Sequence, residues 1–151
     1  MIANPESFSA HRSILITGCS SGIGLSAAHI MRGRNWRVFP TARNQADVDG
    51  LSDLGFEAFR LDYEDPDSIE ATASEVLQRT DGALSAVFNN GAYAVPGALE
   101  DLPTEALRSL FEANFIGWHD LTRRLVPAMR ANGSGRIVQC SSVLGFVALK
   151  Y

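Results

Sequence analysis

The sequence predicts an α/β protein built on a doubly wound parallel sheet with helices on both faces. Three observations carry this. Short apolar runs alternate with helix-like stretches along the whole chain. The fourth run is almost wholly apolar, as suits a central strand covered on both sides. Clusters of glycine, asparagine and serine follow the first, fourth and fifth runs. Regular alternation implies right-handed crossovers, and in such sheets ligands bind beyond the carboxyl ends of the strands.

Taken in order, Ile14-Leu15-Ile16 forms a strand that empties into the turn Thr17-Gly18-Cys19-Ser20-Ser21-Gly22-Ile23-Gly24. A helix follows from residue 23 to about 33, with Ile23, Ala27, Ile30 and Met31 on one side and Gly33 near its end. Residues 36–42 read as strand two, 51–54 as a short helix and 56–61 as strand three. Acidic groups and a proline in Asp65-Pro66-Asp67-Ser68 open a helix that runs to residue 78 or 79. Residues 83–88 form strand four, ending in Asn89-Asn90-Gly91. Leu102-Pro103-Thr104-Glu105 opens a long helical stretch, with a possible break, through Phe111, Phe115, Trp118, Leu121, Leu125 and Met129. Asn132-Gly133-Ser134-Gly135 stops it, and 136–140 is strand five.

At 151 residues, 46% hydrophobic and 20% charged, the chain has ordinary globular composition for one domain. A net charge of −4 argues against nucleic acid or an anionic membrane surface as partner, and Arg123-Arg124 is only a local pair on a solvated face. The first twelve residues have no secretory pattern, and no apolar run approaches membrane-spanning length, so a cytoplasmic protein is expected. Cys19 and Cys140 lack metal-ligand spacing, as do His11, His29 and His119, and reduced structural thiols are expected.

The Gly-x-x-x-Gly-x-Gly turn points to a dinucleotide phosphate site. Its glycines let the backbone approach a pyrophosphate, and the helix N-terminus behind them offers unpaired amides and a positive dipole end. A plain Gly/Ser surface turn is the alternative on the turn alone. No lysine follows Gly24, which excludes a P-loop. Arg43 follows strand two where an NAD enzyme places a carboxylate for the ribose hydroxyls. A guanidinium there suits the 2′-phosphate of NADP, favoring NADP over NAD, and an exposed loop arginine is the other reading. The missing carboxylate also argues against a methyltransferase.

Together, Thr17-Gly18-Cys19-Ser20-Ser21-Gly22-Ile23-Gly24, Asn89-Asn90-Gly91-Ala92, Asn114 and Ser141-Ser142 resemble a classical short-chain dehydrogenase/reductase across nearly the whole chain. The resemblance implies a Rossmann-like sheet, with about five of the family's seven strands present, and hydride transfer between a nicotinamide cofactor and an alcohol or carbonyl. It places Gly18, Ser20, Ser21, Gly22, Ile23 and Gly24 in the cofactor turn, with Thr17 supporting Asn89 and Asn90. Asp62 and Tyr63 would lie by the adenine, although Asp62 reads equally as a loop aspartate. Asn89, Asn90 and Gly91 would line the cofactor, in an order that reverses the family's usual Ala-Gly after the asparagines. Ser142 corresponds to the catalytic serine, and Asn114 to the asparagine that organizes a proton-relay water. On residues alone, Asn114 is a packing position.

The family's acid is a tyrosine with a lysine four residues later. Lys150-Tyr151 has the wrong order, and Tyr151 follows Ser142 by nine residues where the family's gap is about thirteen. Residues 1–151 are therefore expected to be a single dinucleotide-binding domain, incomplete at its C-terminal side, inactive alone and prone to self-association along strand five, with a homo-oligomeric full-length form. Two readings follow: an NADP-dependent oxidoreductase, or a dinucleotide-binding module without turnover. Tyr93, Val95, Leu144 and Phe146 suit a hydrophobic substrate or plain packing.

Overall fold

A computed structural model describes residues 12–147. The readings made on His11, Lys150 and Tyr151, and on all of the N-terminal segment except Arg12, fall outside these residues. The elements are β1 (Ser13–Ile16), α1 (Gly22–Gly33), β2 (Arg37–Ala42), α2 (Gln45–Asp53), β3 (Phe59–Arg60), α3 (Pro66–Arg79), β4 (Ala86–Asn89), α4 (Thr104–Phe111), α5 (Gly117–Ala131) and β5 (Arg136–Gln139). All strand pairs are parallel, in the order β3-β2-β1-β4-β5. The chain winds outward from β1 to β3 on one side, then returns to lay β4 and β5 on the other. The switch point falls between the carboxyl ends of β1 and β4.

Alternation along the strands divides the core in two. Leu15, Phe39 and Val87 pack with Ile69, Val76, Leu121 and Leu125 from α3 and α5. Ile14, Ile16, Val38 and Ala86 pack with Ala28, Val48 and Leu51 from α1 and α2. Side chains of period two thus feed both faces, the pattern a doubly wound sheet requires. Helix α3 starts as its sequence predicts: Pro66 occupies the first turn, and Asp65 Oδ1 accepts the amides of Asp67 and Ser68 at 3.1 and 3.3 Å.

Five details differ from expectation, the first being strand four, read at 83–88 and formed at Ala86–Asn89. The short helix at 51–54 is the end of a longer one, Gln45–Asp53, whose buried Val48 and Leu51 sit three residues apart on one face. Strand three shrinks from 56–61 to Phe59–Arg60 because β2 carries Pro40, which has no amide to offer. The ladder to β3 begins only beyond it, at Thr41↔Phe59 and Ala42↔Arg60. In α1 the buried residues are Gly24 and Ala28, while Ile23 and Ile30 are exposed. The long helical stretch is broken by a π-helical turn, Glu112–Ile116. Its wider turn shifts the buried face, which steps by four through Ala113, Gly117, Leu121, Leu125 and Met129, and leaves Phe111 and Phe115 exposed.

At the amino ends of β2 and β3 the sheet is closed by ions. Arg37 makes two hydrogen bonds to Glu57, at 2.7 and 2.8 Å, and Arg79 at the end of α3 adds one at 3.1 Å while pairing with Glu75 at 2.8 Å. Strand β5 ends the sheet with all four residues exposed, and Val143, Leu144 and Phe146 beyond it are exposed as well. No helix among the described residues is long and apolar enough to cross a membrane.

Candidate functional site

Gly18 leaves β1 with a φ of +68°, which glycine adopts freely and other residues do not. Space forbids a side chain as well: a Cβ there would lie 2.4 Å from Gly91 Cα, and one at Gly24 would lie 2.3 Å from the Gly18 carbonyl oxygen. The turn therefore folds onto the first turn of α1 and lies against the loop after β4, backbone to backbone. Gly22 opens α1. Ser21 precedes it in extended conformation without a side-chain cap, and the first turn holds no acidic residue. The amides that a helix leaves unpaired in its first turn thus meet no carboxylate from that turn. Ser20, Ser21 and Ile23 are exposed beside them.

Beneath the turn lies a chain of hydrogen bonds. Thr17 Oγ1 accepts the amides of Asn90 (2.9 Å) and Gly91 (3.0 Å), which uses both its lone pairs. The Thr17 hydroxyl donates to the Phe88 carbonyl at 3.4 Å, and the Tyr63 phenol donates between Thr17 Oγ1 at 2.8 Å and Asn89 Oδ1 at 3.0 Å. Asn89 Nδ2 donates to Thr122 Oγ1 at 2.9 Å. Asn90 Nδ2 donates to the carbonyls of Thr17 and Gly18 at 3.0 and 3.2 Å, and Trp118 Nε1 to that of Gly91 at 2.8 Å. Burial pushes the Tyr63 phenol above its ordinary value despite the Thr17 hydrogen bond, so it stays protonated as the relay requires. Burial likewise pushes the Cys19 thiol up to about 12, and its sulfur donates to the Ile16 carbonyl, which makes it structural.

Above the network a cleft of ≈ 190 Å³ opens at the carboxyl ends of β1, β2 and β3. Enclosed ligand sites run to roughly 300–1,000 Å³, so it has room for only one end of a long ligand. Gly18, Ser20, Arg43, Asp62, Tyr63, Gly91 and Tyr93 line it, and Asp47 and Glu64 also reach it. Two of these carboxylates have local partners: Asp47 takes Asn44 Nδ2 at 3.4 Å and Asp62 accepts the Glu64 amide at 3.1 Å. Arg43 forms no ion pair among the described residues. Thr41 is among the lining residues, and its Oγ1 is buried without a partner among the described residues.

Asn114 lies in the π turn, where its side chain pairs with the backbone of Tyr93: Oδ1 accepts that residue's amide at 3.1 Å, and Nδ2 donates to its carbonyl at 2.7 Å. Ser142 is exposed after β5, its Oγ accepting the Leu144 amide at 3.1 Å. Asn89 is fully buried and Tyr63 turns its phenol inward, so these two support the turn from below. The reversed Gly91-Ala92 order is accommodated, since Gly91 makes the backbone contact with Gly18 and Ala92 has no positive φ. Sequence alone does not point to Thr41, Trp118 and Thr122. A tryptophan and threonine four apart on a helix facing an Asn-Asn pair are the available signal for the last two.

The sheet order, the switch point and the glycine turn over a helix N-terminus define a nucleotide-binding α/β protein. A family model described as short chain dehydrogenase matches residues 12–151, and the chain belongs to that family of oxidoreductases. It is 40% identical over 137 residues to the uncharacterized oxidoreductase YbbO of Escherichia coli (strain K12), covering 91% of this chain and 51% of that protein. A short-chain dehydrogenase from Streptomyces avermitilis superposes with a TM-score of 0.85 at 35% identity, over 96% of this chain and 53% of that one. A variant of actinorhodin polyketide ketoreductase, solved with NADPH, gives 0.84 at 29% identity, over 94% and 57%. The chain spans about half the length of these relatives.

The residues present fit a nicotinamide dinucleotide. Gly18 and Gly24 let the turn fold tightly over the start of α1, where a Cβ would strike backbone, the first turn of α1 carries no acid, and Arg43 on the cleft wall has no ion pair among the described residues.

Proposed function

We propose that residues 1–151 form the dinucleotide-binding domain of an NADP-dependent oxidoreductase that reduces a carbonyl or oxidizes an alcohol. The bound cofactor supplies the hydride. The amides at the start of α1 hold its pyrophosphate, Arg43 the 2′-phosphate and Asp62 the adenine edge. Asn114 fixes the loop of Tyr93, and Ser142 orients the substrate oxygen through its hydroxyl. Exposed Leu144 and Phe146 beyond β5 support a hydrophobic substrate. The relative solved with NADPH is named a ketoreductase, which supports both the cofactor and the carbonyl.

The observation that carries the NADP assignment is the unpaired Arg43 on the cleft wall, two residues past Thr41. A 2′-phosphate supplies the charge-assisted partner it lacks. Asp47 favors a second reading, since it is a carboxylate in the same cleft that could take the ribose hydroxyls of NAD. Calorimetry of the full chain with NADPH and NADH separates them. NADPH is expected to bind more tightly, and Arg43→Ser to weaken it about ten- to hundredfold while leaving NADH unchanged. Tighter NADH binding by the unaltered chain overturns the assignment.

Neither Tyr63 nor Tyr93 is followed four residues later by lysine, the residues there being Asp67 and Gly97. The 151-residue polypeptide is therefore expected to bind NADPH without consuming it. Loss of NADPH absorbance with a ketone that disappears in Ser142→Ala would refute that. Association of copies and a cytoplasmic location belong to the same reading. The exposed Phe111, Phe115 and β5 edge support the first of these.

A further inference from the structure

Asparagine is followed by glycine twice, at Asn90-Gly91 and at Asn132-Gly133. The first pair arises from the reversed order after β4, since the family's usual order places alanine there. In such a pair the glycine nitrogen has no side chain beside it and is free to reach the asparagine carboxamide. It attacks Cγ, gives up its proton and expels the side-chain nitrogen as ammonia, which closes a succinimide ring. Water then opens the ring to aspartate or isoaspartate.

Both reacting groups of Asn90-Gly91 are held by the fold. The Gly91 amide donates to Thr17 Oγ1 at 3.0 Å, and its carbonyl accepts Trp118 Nε1 at 2.8 Å. Asn90 Nδ2 donates to the carbonyls of Thr17 and Gly18 at 3.0 and 3.2 Å. It fills space that Gly24 leaves, for a Cβ on Gly24 would lie 2.8 Å from Nδ2. Attack requires Gly91 to leave Thr17 and Asn90 to leave both carbonyls, so it proceeds only when this seam opens.

The product does not fit the seam. Oxygen in place of Nδ2 sets a carboxylate against two carbonyl oxygens, with no hydrogen to give either. It also adds a negative charge beneath the turn assigned above to a pyrophosphate. Isoaspartate goes further, rerouting the main chain through the side chain where Gly18 and Gly91 meet backbone to backbone.

We propose that Asn90 is a deamidation site whose conversion disables the dinucleotide cradle, and that the Thr17 hydroxyl guards it by holding the Gly91 amide. The loss of binding rests on the dinucleotide reading, whereas the conversion of Asn90 does not.

Peptide mapping of the full chain after incubation in mildly alkaline buffer tests this, with Asn132 as the reference within each sample. In urea that unfolds the chain, both asparagines should convert at similar rates, and an Asn90 that resists overturns the proposal. Folding of the unaltered chain should slow Asn90 by about tenfold or more, and equal rates folded and unfolded overturn the guard. Thr17→Val is expected to raise conversion at Asn90 relative to Asn132 by about tenfold, and Thr17→Ser to leave that ratio as it is. An unchanged ratio in the valine variant overturns the proposal, as does a serine variant as reactive as valine. Asn90→Asp, the product made by substitution, is expected to bind NADPH at least about tenfold more weakly in calorimetry. An aspartate variant that binds as the original does overturns the disabling. An unaltered chain that binds no NADPH removes the dinucleotide reading, and the mapping still decides for or against Asn90.

Discussion

The two ends of the sheet are fastened by different chemistry. At the amino ends of β2 and β3, charge is neutralized within the protein: Arg37, Glu57, Arg79 and Glu75 form one alternating cluster, with the Arg37 and Arg79 guanidiniums lying over the rings of Phe39 and Phe59. At the carboxyl ends, neutral hydrogen bonds through Thr17, Tyr63, Asn89 and Thr122 do most of the fastening, Arg60 reaches Asp62 and Asp65 only at 3.8 and 3.9 Å, and the Arg43 guanidinium has no ion pair among the described residues. A binding end must hold its shape without using up its charges. The closed end has no such requirement, so its arginines are spent on its own glutamates.

The contrast is broken most severely at Gly18. Gly18→Ala combines a left-handed backbone with a Cβ that would lie 2.4 Å from Gly91 Cα. It is expected to lower stability by about 2–5 kcal/mol in urea denaturation. Thr17→Val is next. It removes the acceptor for two amides and leaves the Tyr63 phenol without its neighbor, for an expected loss of about 1–3 kcal/mol with no dependence on salt. The same comparison is sharpened at the closed end, where Glu57→Gln is expected to cost less than about 1 kcal/mol at neutral pH, diminishing with added salt.

That last variant also carries a pH signature. Burial alone would raise the Glu57 carboxyl, but hydrogen bonds from Arg37 and Arg79 prevail and hold it below its ordinary value. A carboxyl depressed in the folded state stabilizes above its unfolded pKa, about 4.3, and the contribution fades as pH falls through the lower folded value. Chemical denaturation across that acid range should show a shallower loss in Glu57→Gln than in the original chain. Equal slopes would show that the cluster does not contribute.

What the sequence reveals is local. The glycine turn, the Asp65-Pro66 helix start and the strand alternation each lie within a few neighboring residues, and all stand where they are expected. Contacts distant in the chain are not legible in it. Nothing near Tyr63 signals that its phenol sits under Thr17, 46 residues earlier, or that Thr122 completes Asn89. Pro40 is readable as a residue but not as the reason β3 is short, since that depends on which strand lies beside it. A break in the long helical stretch is expected, but its form as a π turn is not legible, because such a turn changes the period on which helix-face arguments rest and leaves Phe111 and Phe115 exposed.

The contact of Gly18 with Gly91 makes the turn and the loop after β4 a single mechanical part. Two touching side chains can absorb a small shift by changing rotamer, but two touching backbones cannot. Gly91 is tied in turn to Trp118, and Tyr93 two residues later to Asn114. Direct contacts therefore join the turn to the π turn and to α5, which packs on the opposite face of the sheet from α1. The seam is a rigid tie between the two faces of the sheet.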